Sequence, residues 1–253
     1  MSAWTELTAS AAGLERWLLP PACLLCGEAV AHTDGELLAC GLCRSRWEPV
    51  AAPWCRRCGQ PTDPGLACRI CPDWPEAFTA VRSAVWLGDA ARRAVHLLKY
   101  EGWWRMGESL ALAMRRLDAF TGADALVPVP LGEARQRKRG YNQSAAIARP
   151  LAAFLGLPMV EAALVRRRET TSQTRLTPDA RRANLSGAFQ PGLRARGRRL
   201  VLVDDVFTTG ATLAEAAAAL LAGGAVAVSA VTFARARRPL DDLTVIDTFE
   251  DGT

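Results

Sequence analysis

Lysine is nearly missing from this chain: of 31 basic residues among 253, only Lys99 and Lys138 are lysine and the rest are arginine. Tyrosine is equally scarce, and both tyrosines lie close to a lysine, in Lys99-Tyr100 and in Lys138-Arg139-Gly140-Tyr141. A compact ammonium and a guanidinium are not interchangeable where phosphate must be met, so the sparing use of lysine marks these two positions. Histidine is limited to His32 and His96. His96 falls in a helical pattern beside Ala94, Val95 and Leu97 and reads as a packed or partly exposed helix residue, so no general base is assigned. The opening segment carries Glu6, Glu15 and one basic residue, Arg16, and lacks the positive start and apolar middle of an export signal. The longest uncharged stretch, residues 216–234, is mostly alanine and is broken by Gly223-Gly224, after which Val226, Val228 and Val231 suit a buried strand. These absences exclude membrane insertion and lead to the expectation of a soluble, cytoplasmic protein. With half its residues hydrophobic and 23% charged, the chain has the balance of one that buries a core, which excludes a fibrous or disordered reading.

No cysteine follows residue 71, yet eight precede it, in four pairs: Cys23 and Cys26, Cys40 and Cys43, Cys55 and Cys58, Cys68 and Cys71. Each two-residue gap lets both thiolates of a knuckle reach one tetrahedral metal, and intervals of 13, 11 and 9 residues between pairs come close to zinc-ribbon spacing. Redox or merely buried cysteines are the bland alternative, but a reducing compartment disfavours a disulfide framework. Chain order pairs the first knuckle with the second and the third with the fourth, with interleaved pairing open. Four thiolates per ion leave no position for water or substrate, so two structural zinc ions are expected. In a segment of this size the metal supplies much of the folding free energy. His32 reads as an exposed loop residue and not as a substitute ligand.

The net charge of +5 is unevenly spread: residues 132–199 hold 15 Lys and Arg against 4 Asp and Glu, a balance of +11. Such a stretch suits a polyanion, either nucleic acid or a small molecule dense in phosphate, although solvated arginine accounts for part of it. Along the chain, strands are expected at residues 81–87, 125–129, 200–203 and 226–233. Helices are expected at 89–98 with Asp89 as cap, 106–120, 142–155 and 211–222, with loops at 131–141 and 166–182. Strand and helix alternate, which implies an α/β domain with a mainly parallel sheet and ligands at the carboxyl ends of its strands. The expected division is a double zinc ribbon over residues 20–75, an α/β domain over 76–235 and a short acidic tail over 236–253.

The run Leu200-Val201-Leu202-Val203-Asp204-Asp205-Val206-Phe207-Thr208-Thr209-Gly210-Ala211-Thr212-Leu213 is the most informative. An apolar strand ends in two carboxylates, and a Thr-Thr-Gly-Ala-Thr turn leads straight into a helix. Gly210 permits tight backbone geometry, amides at the helix start face the turn, and hydroxyls of Thr208, Thr209 and Thr212 add donors, so a phosphate monoester fits. It is not a Walker A loop, which would need Gly-Lys-Ser/Thr. Neighbouring strand residues point to opposite faces, so Asp204 and Asp205 should differ in role. Next to a sugar phosphate they can accept hydrogen bonds from ribose hydroxyls.

This run resembles the 5-phosphoribosyl-1-pyrophosphate (PRPP) signature of type I phosphoribosyltransferases. Together with the segment from Cys23 to Cys71, Leu97-Leu98-Lys99-Tyr100, Val127-Pro128-Val129-Pro130, Arg139-Gly140-Tyr141-Asn142-Gln143, and Arg168, Gln173, Arg182-Ala183-Asn184 and Gly187-Ala188-Phe189, it makes the chain similar to the ComF family, which is linked to DNA uptake in natural competence. The resemblance implies that Thr208, Thr209, Gly210, Ala211 and Thr212 hold the 5-phosphate. It further implies that Asp204 and Asp205 meet the ribose hydroxyls, and that Arg137, Lys138, Arg139 and Gly140 border the pyrophosphate. Lys99 and Tyr100 join the PRPP-binding set, and a loop of about residues 168–182 closes over the sugar, bringing Arg168, Thr170, Gln173 or Arg175 near the diphosphate. Magnesium would bridge pyrophosphate and ribose oxygens. No recognisable hood for a nucleobase is present, leaving the acceptor open. A phosphoribosyltransferase acting on a nitrogen nucleophile is the first expectation. The alternative is a non-catalytic zinc-ribbon protein of the competence machinery that contacts single-stranded DNA and binds PRPP as a regulator. A module that recruits competence or DNA-uptake proteins is a third.

Overall fold

The computed structural model describes residues 22–30, 34–35, 37–62, 66–168 and 187–237. His32, Thr170, Gln173, Arg175, residues 182–184 and most of the expected tail lie outside them. Four strands, β1 (Phe78–Trp86), β2 (Ala125–Pro128), β5 (Arg199–Phe207) and β6 (Ala227–Arg235), form one sheet in the order β1-β6-β5-β2. Every pairing is parallel. The central strand β5 aligns Val203 with Val231 on one side, while Leu202 lies opposite Val127 on the other. Its alternation divides the core. Val201 and Val203 face the helices α2 (Asp89–Tyr100), α3 (Met106–Met114) and α5 (Gln143–Leu155), packing with Leu98, Leu110 and Ile147. Leu200 and Leu202 face α6 (Ala211–Ala222), meeting Leu213 and Leu220. Burial on both faces is why these strands read as nearly continuous apolar runs.

An antiparallel pair, β3 (Leu164–Arg166) with β4 (Phe189–Pro191), lies on the α6 side; three residues per strand is too short for the sequence pattern to announce. Four other expectations change. Residues 131–141 are not all loop, because Glu133–Arg139 forms the short helix α4, whose exposed Arg137 pairs with Glu133 one turn back. The helix from Met106 stops at Met114, and a separate 3-10 turn covers Asp118–Phe120. At the start of α2 the cap position is Gly88 without a side-chain bond, and Asp89 is already helical. Strand β5 also runs past residue 203, since β6 keeps pairing with it as far as Phe207 opposite Arg235.

The cysteine-rich segment, which contains the short helix α1 (Gly41–Ser45), leans on the edge of this sheet. Pro49 bridges Val85 in antiparallel fashion, and the Trp86 amide donates to the Glu48 carbonyl at 2.8 Å. Trp47 meets Phe233 edge-on at 4.9 Å, carrying the core across the junction. No helix among the described residues is long and apolar enough to cross a membrane.

Candidate functional site

Two clusters of four cysteines form, Cys23, Cys26, Cys40 and Cys43 in one and Cys55, Cys58, Cys68 and Cys71 in the other, each with its sulfurs within 4.8 Å of one another. Chain-order pairing of the knuckles is therefore the arrangement adopted. Thiolates at about 2.3 Å from a tetrahedral zinc lie about 3.8 Å apart. Separations of 3.9 Å for Cys26 and Cys40 and 3.7 Å for Cys55 and Cys71 match that geometry, and Cys58 and Cys68 stand closer at 3.3 Å. Amides of Leu25 and Cys40 donate to the Cys23 sulfur, and that of Ile70 to Cys68. Burial raises the Cys23 thiol, but the amides of Cys40 and Leu25 outweigh it and bring the pKa down to about 7. In the second cluster burial and the neighbouring Cys55 and Cys68 thiols push Cys71 up to about 12. Negative charge gathered this closely needs a cation, and a soft, closed four-sulfur donor set fits zinc. Metal analysis should find two zinc ions per chain; Cys58→Ala should leave one, with a fall in melting temperature, because that metal closes a loop with little core of its own.

The second site gathers at the carboxyl end of the sheet. Asp204 and Asp205 stand near the end of β5, and α5 brings Ser144 to them from its first turn, where the Asn142 side chain caps the helix by accepting from the Ser144 amide. The Ser144 hydroxyl donates to Asp204 Oδ1 at 2.7 Å, and the Asp205 amide donates to the same oxygen at 2.9 Å. Asp205 is only 3% exposed, and its Oδ2 forms an ion pair with Lys99 Nζ from the last turn of α2. The two carboxylates thus have different partners, as their alternate directions require. Burial, and next the charge of Asp205, raises Asp204 to about 7 against the opposing help of Ser144 and Lys99. Burial disfavours the Lys99 ammonium, yet Asp205 and then Asp204 hold its pKa above the ordinary lysine range.

The segment after β2 joins this network. Arg139, at the end of α4, bonds to Gln143 and lies 5.7 Å over the ring of Tyr100, while the Tyr141 hydroxyl donates to the Leu98 carbonyl. The Asn142 amide donates to the Val129 carbonyl at 3.0 Å, fastening the same segment to the end of β2. Lys99, Tyr100, Arg139, Ser144, Asp204 and Asp205 are thereby brought together through direct contacts, with Tyr100 itself 70% exposed. Arg137 and Lys138 project outward on α4, next to its end at Gly140. Arg168 stands just beyond β3 as an exposed residue.

Beyond the acidic pair, exposed Thr208, half-buried Thr209 and buried Gly210 turn the chain into Ala211 and Thr212. Gly210 has φ +79° and occupies the cap position of α6; the Ala211 amide leans on the Thr209 hydroxyl at 3.4 Å. The first amide used within α6 is that of Ala214, bonded to the Gly210 carbonyl, so the amides before it face the turn. Three contributors escaped the sequence reading. Ser144 follows directly on the quoted Arg139–Gln143 run and could have been found by extending it one residue. Trp74 could be read only as a ring packing beside a zinc site, and Arg235, which lies over Phe207, carried no signal, because their partners at the turn lie far away in sequence.

Ionisation of Asp204 has a definite sign. Its folded pKa of about 7 exceeds the ordinary 3.8, so between those values the folded chain holds a proton that the unfolded chain has released. Its contribution to stability should be complete below about pH 4 and be lost as pH rises towards 7. Urea titrations of wild type and Asp204→Asn at several pH values should show this fall in the wild type and its removal in the variant.

Comparison with known proteins agrees with both halves. Residues 14–72 match the double zinc ribbon domain and residues 141–251 the phosphoribosyl transferase domain. The chain is 34% identical over 222 residues to the DNA utilization protein YhgH of Escherichia coli, spanning 83% of this chain and 95% of that one. It is 26% identical over 209 residues to Competence protein ComFC of Bacillus subtilis, covering 78% and 83% of the two chains. It is 40% identical over 95 residues to Competence protein F of Haemophilus influenzae, covering 36% and 42%. Joining a double zinc ribbon to a phosphoribosyltransferase fold, and related to these proteins, the chain belongs to the ComF family.

Proposed function

We propose that this chain binds PRPP at the carboxyl ends of β2 and β5 and transfers its phosphoribosyl group to a nitrogen nucleophile. The observation that carries this reading is the continuity of the Asp204-Asp205 pair with a turn that opens onto the amides of α6. The 5-phosphate is assigned to Thr208–Thr212, and the ribose hydroxyls to the two carboxylates. Lys99 holds Asp205 in place by an ion pair, while Ser144 orients Asp204. Arg137, Lys138, Arg139 and Gly140 are assigned to the diphosphate, with Tyr100 at the rim and Arg168 as a further cation for it.

In the reaction the bond between ribose C1 and the diphosphate oxygen breaks, its electron pair leaves with pyrophosphate, and the nucleophile's nitrogen forms the new bond to C1. Positive charge develops on the ring and is met by the two aspartates, while basic residues receive the leaving charge. The hard carboxylate oxygens suit a magnesium ion carried on the substrate, which would supply further neutralisation of the diphosphate. Isothermal titration should show magnesium-dependent PRPP binding. Asp204→Asn, isosteric and uncharged, should weaken it roughly tenfold or more, the worth of a charge-assisted hydrogen bond. Pyrophosphate release with an amine or base would establish transfer, whereas wild-type protein that fails to bind PRPP would overturn the reading.

The relatives' names add a second reading, contact with DNA, favoured by the exposed basic face of α4 with Arg137 and Lys138. Binding to single-stranded DNA should weaken steeply with salt, and Arg137→Ala with Lys138→Ala should lower the salt slope by about 1 to 2. Affinity indifferent to salt and to both substitutions would exclude it.

A further inference from the structure

The second cysteine cluster reaches the phosphate turn by two separate routes. In the first, Arg235, the last residue of β6 and 1% exposed, donates from Nη1 to the carbonyl of Cys58 at 2.9 Å and from Nη2 to Gln60 Oε1 at 2.8 Å. Its guanidinium lies 4.1 Å over the ring of Phe207, the buried residue immediately before Thr208. In the second, Arg57, between the ligands Cys55 and Cys58, donates to the carbonyls of Cys71 at 3.1 Å and Trp74 at 2.7 Å. Trp74 thereby hangs from the knuckle, stacks on Phe78 at 4.8 Å and comes under the turn. A Cβ added at Gly210 would fall 2.8 Å from Trp74 and 2.9 Å from Phe207, so these two rings are the floor against which the turn rests. The knuckle itself is seated firmly: the Val81 amide of β1 donates to the Arg57 carbonyl at 2.6 Å.

We propose that Arg235 and Trp74 are positioning residues through which the second four-cysteine cluster sets the shape of the phosphate turn, so that the metal-loaded knuckle is a structural wall of the ligand site. The inference rests on the assignment of the 5-phosphate to Thr208–Thr212. A buried guanidinium shared between a ligand's carbonyl and an aromatic ring passes any displacement of the knuckle to Phe207, and Trp74 passes it to Gly210. Among the described residues the first cluster shows no such arm to the turn: Cys23, Cys40 and Cys43 pack in a small cluster with Val30. A displaced turn would lose its grip on a phosphate monoester, while residues 137–140, fastened instead to α2 and α5, would keep their place.

Titration of full-length, zinc-loaded protein with ribose 5-phosphate and, separately, with magnesium pyrophosphate distinguishes the outcomes. Arg235→Met and Trp74→Ala should each weaken ribose 5-phosphate by roughly tenfold or more, the scale of effect expected from a small misplacement of binding groups. Pyrophosphate affinity and the zinc content should be unchanged, and Trp74→Phe should restore ribose 5-phosphate binding. Arg44→Met, which removes an ion pair to Asp34 beside the first cluster, should leave both ligands unaffected. Equal affinity of wild type and both variants for ribose 5-phosphate would overturn the proposal, as would parallel loss of both ligands. Wild type that binds neither ligand would overturn the functional reading and this proposal with it.

Discussion

Asp205 is almost completely buried, and a carboxylate removed from water at the end of a strand requires a counter-charge within reach. Lys99 is that counter-charge, and much of the architecture at the carboxyl edge follows from bringing it there. Helix α2 must end beside β5 although β6 lies between β5 and the strand that precedes α2. Tyr100 then falls within reach of Arg139, and Tyr141 anchors to Leu98 on the same turn. The ion pair, the segment after β2 and the start of α5 form one connected unit in which charge is both stored and exposed.

The cost of that arrangement appears at Asp204. Withdrawn from water and next to the Asp205 carboxylate, it holds its proton to about pH 7. Such a group is stabilised when hydroxyl donors approach, and Ser144 already supplies one. The acidic pair is therefore asymmetric: one carboxylate is committed to a lysine inside the protein, and the other keeps capacity for a polar ligand.

The cysteine-rich half is joined to this edge by more than chain connectivity. Trp47 enters the core cluster of the sheet at Phe233, Pro49 lengthens the sheet at β1, and Arg235 binds the second knuckle from within. A segment of this size with two closed metal sites is rigid where it is ligated. Placed against the last residues of β5 and β6, it can brace a turn that the α/β domain alone would leave supported on one side.

Local chemistry made much of this legible. Pairs of cysteines two residues apart announced tetrahedral sites, because knuckle geometry depends only on short spacing. The apolar run before Asp204 announced a central strand, and Gly210 before an alanine-rich segment announced the start of α6, since backbone and periodicity act over a few residues. Helix α4 was hidden because seven residues rich in arginine carry no apolar face, and β3 with β4 because three residues show no alternation. What the sequence by itself determined was therefore the metal-binding cysteines, the α/β alternation and the acidic pair that leads into the Thr-Thr-Gly turn. The tertiary structure closed the choice of knuckle pairing in favour of the chain order read first, and it alone decided that Lys99 closes on Asp205 and Ser144 on Asp204, and that Trp74 and Arg235 underlie Gly210 and Phe207. Those are contacts between groups far apart along the chain, chosen by how buried charge is neutralised and how rings pack, and spacing along a single strand of sequence carries no record of them.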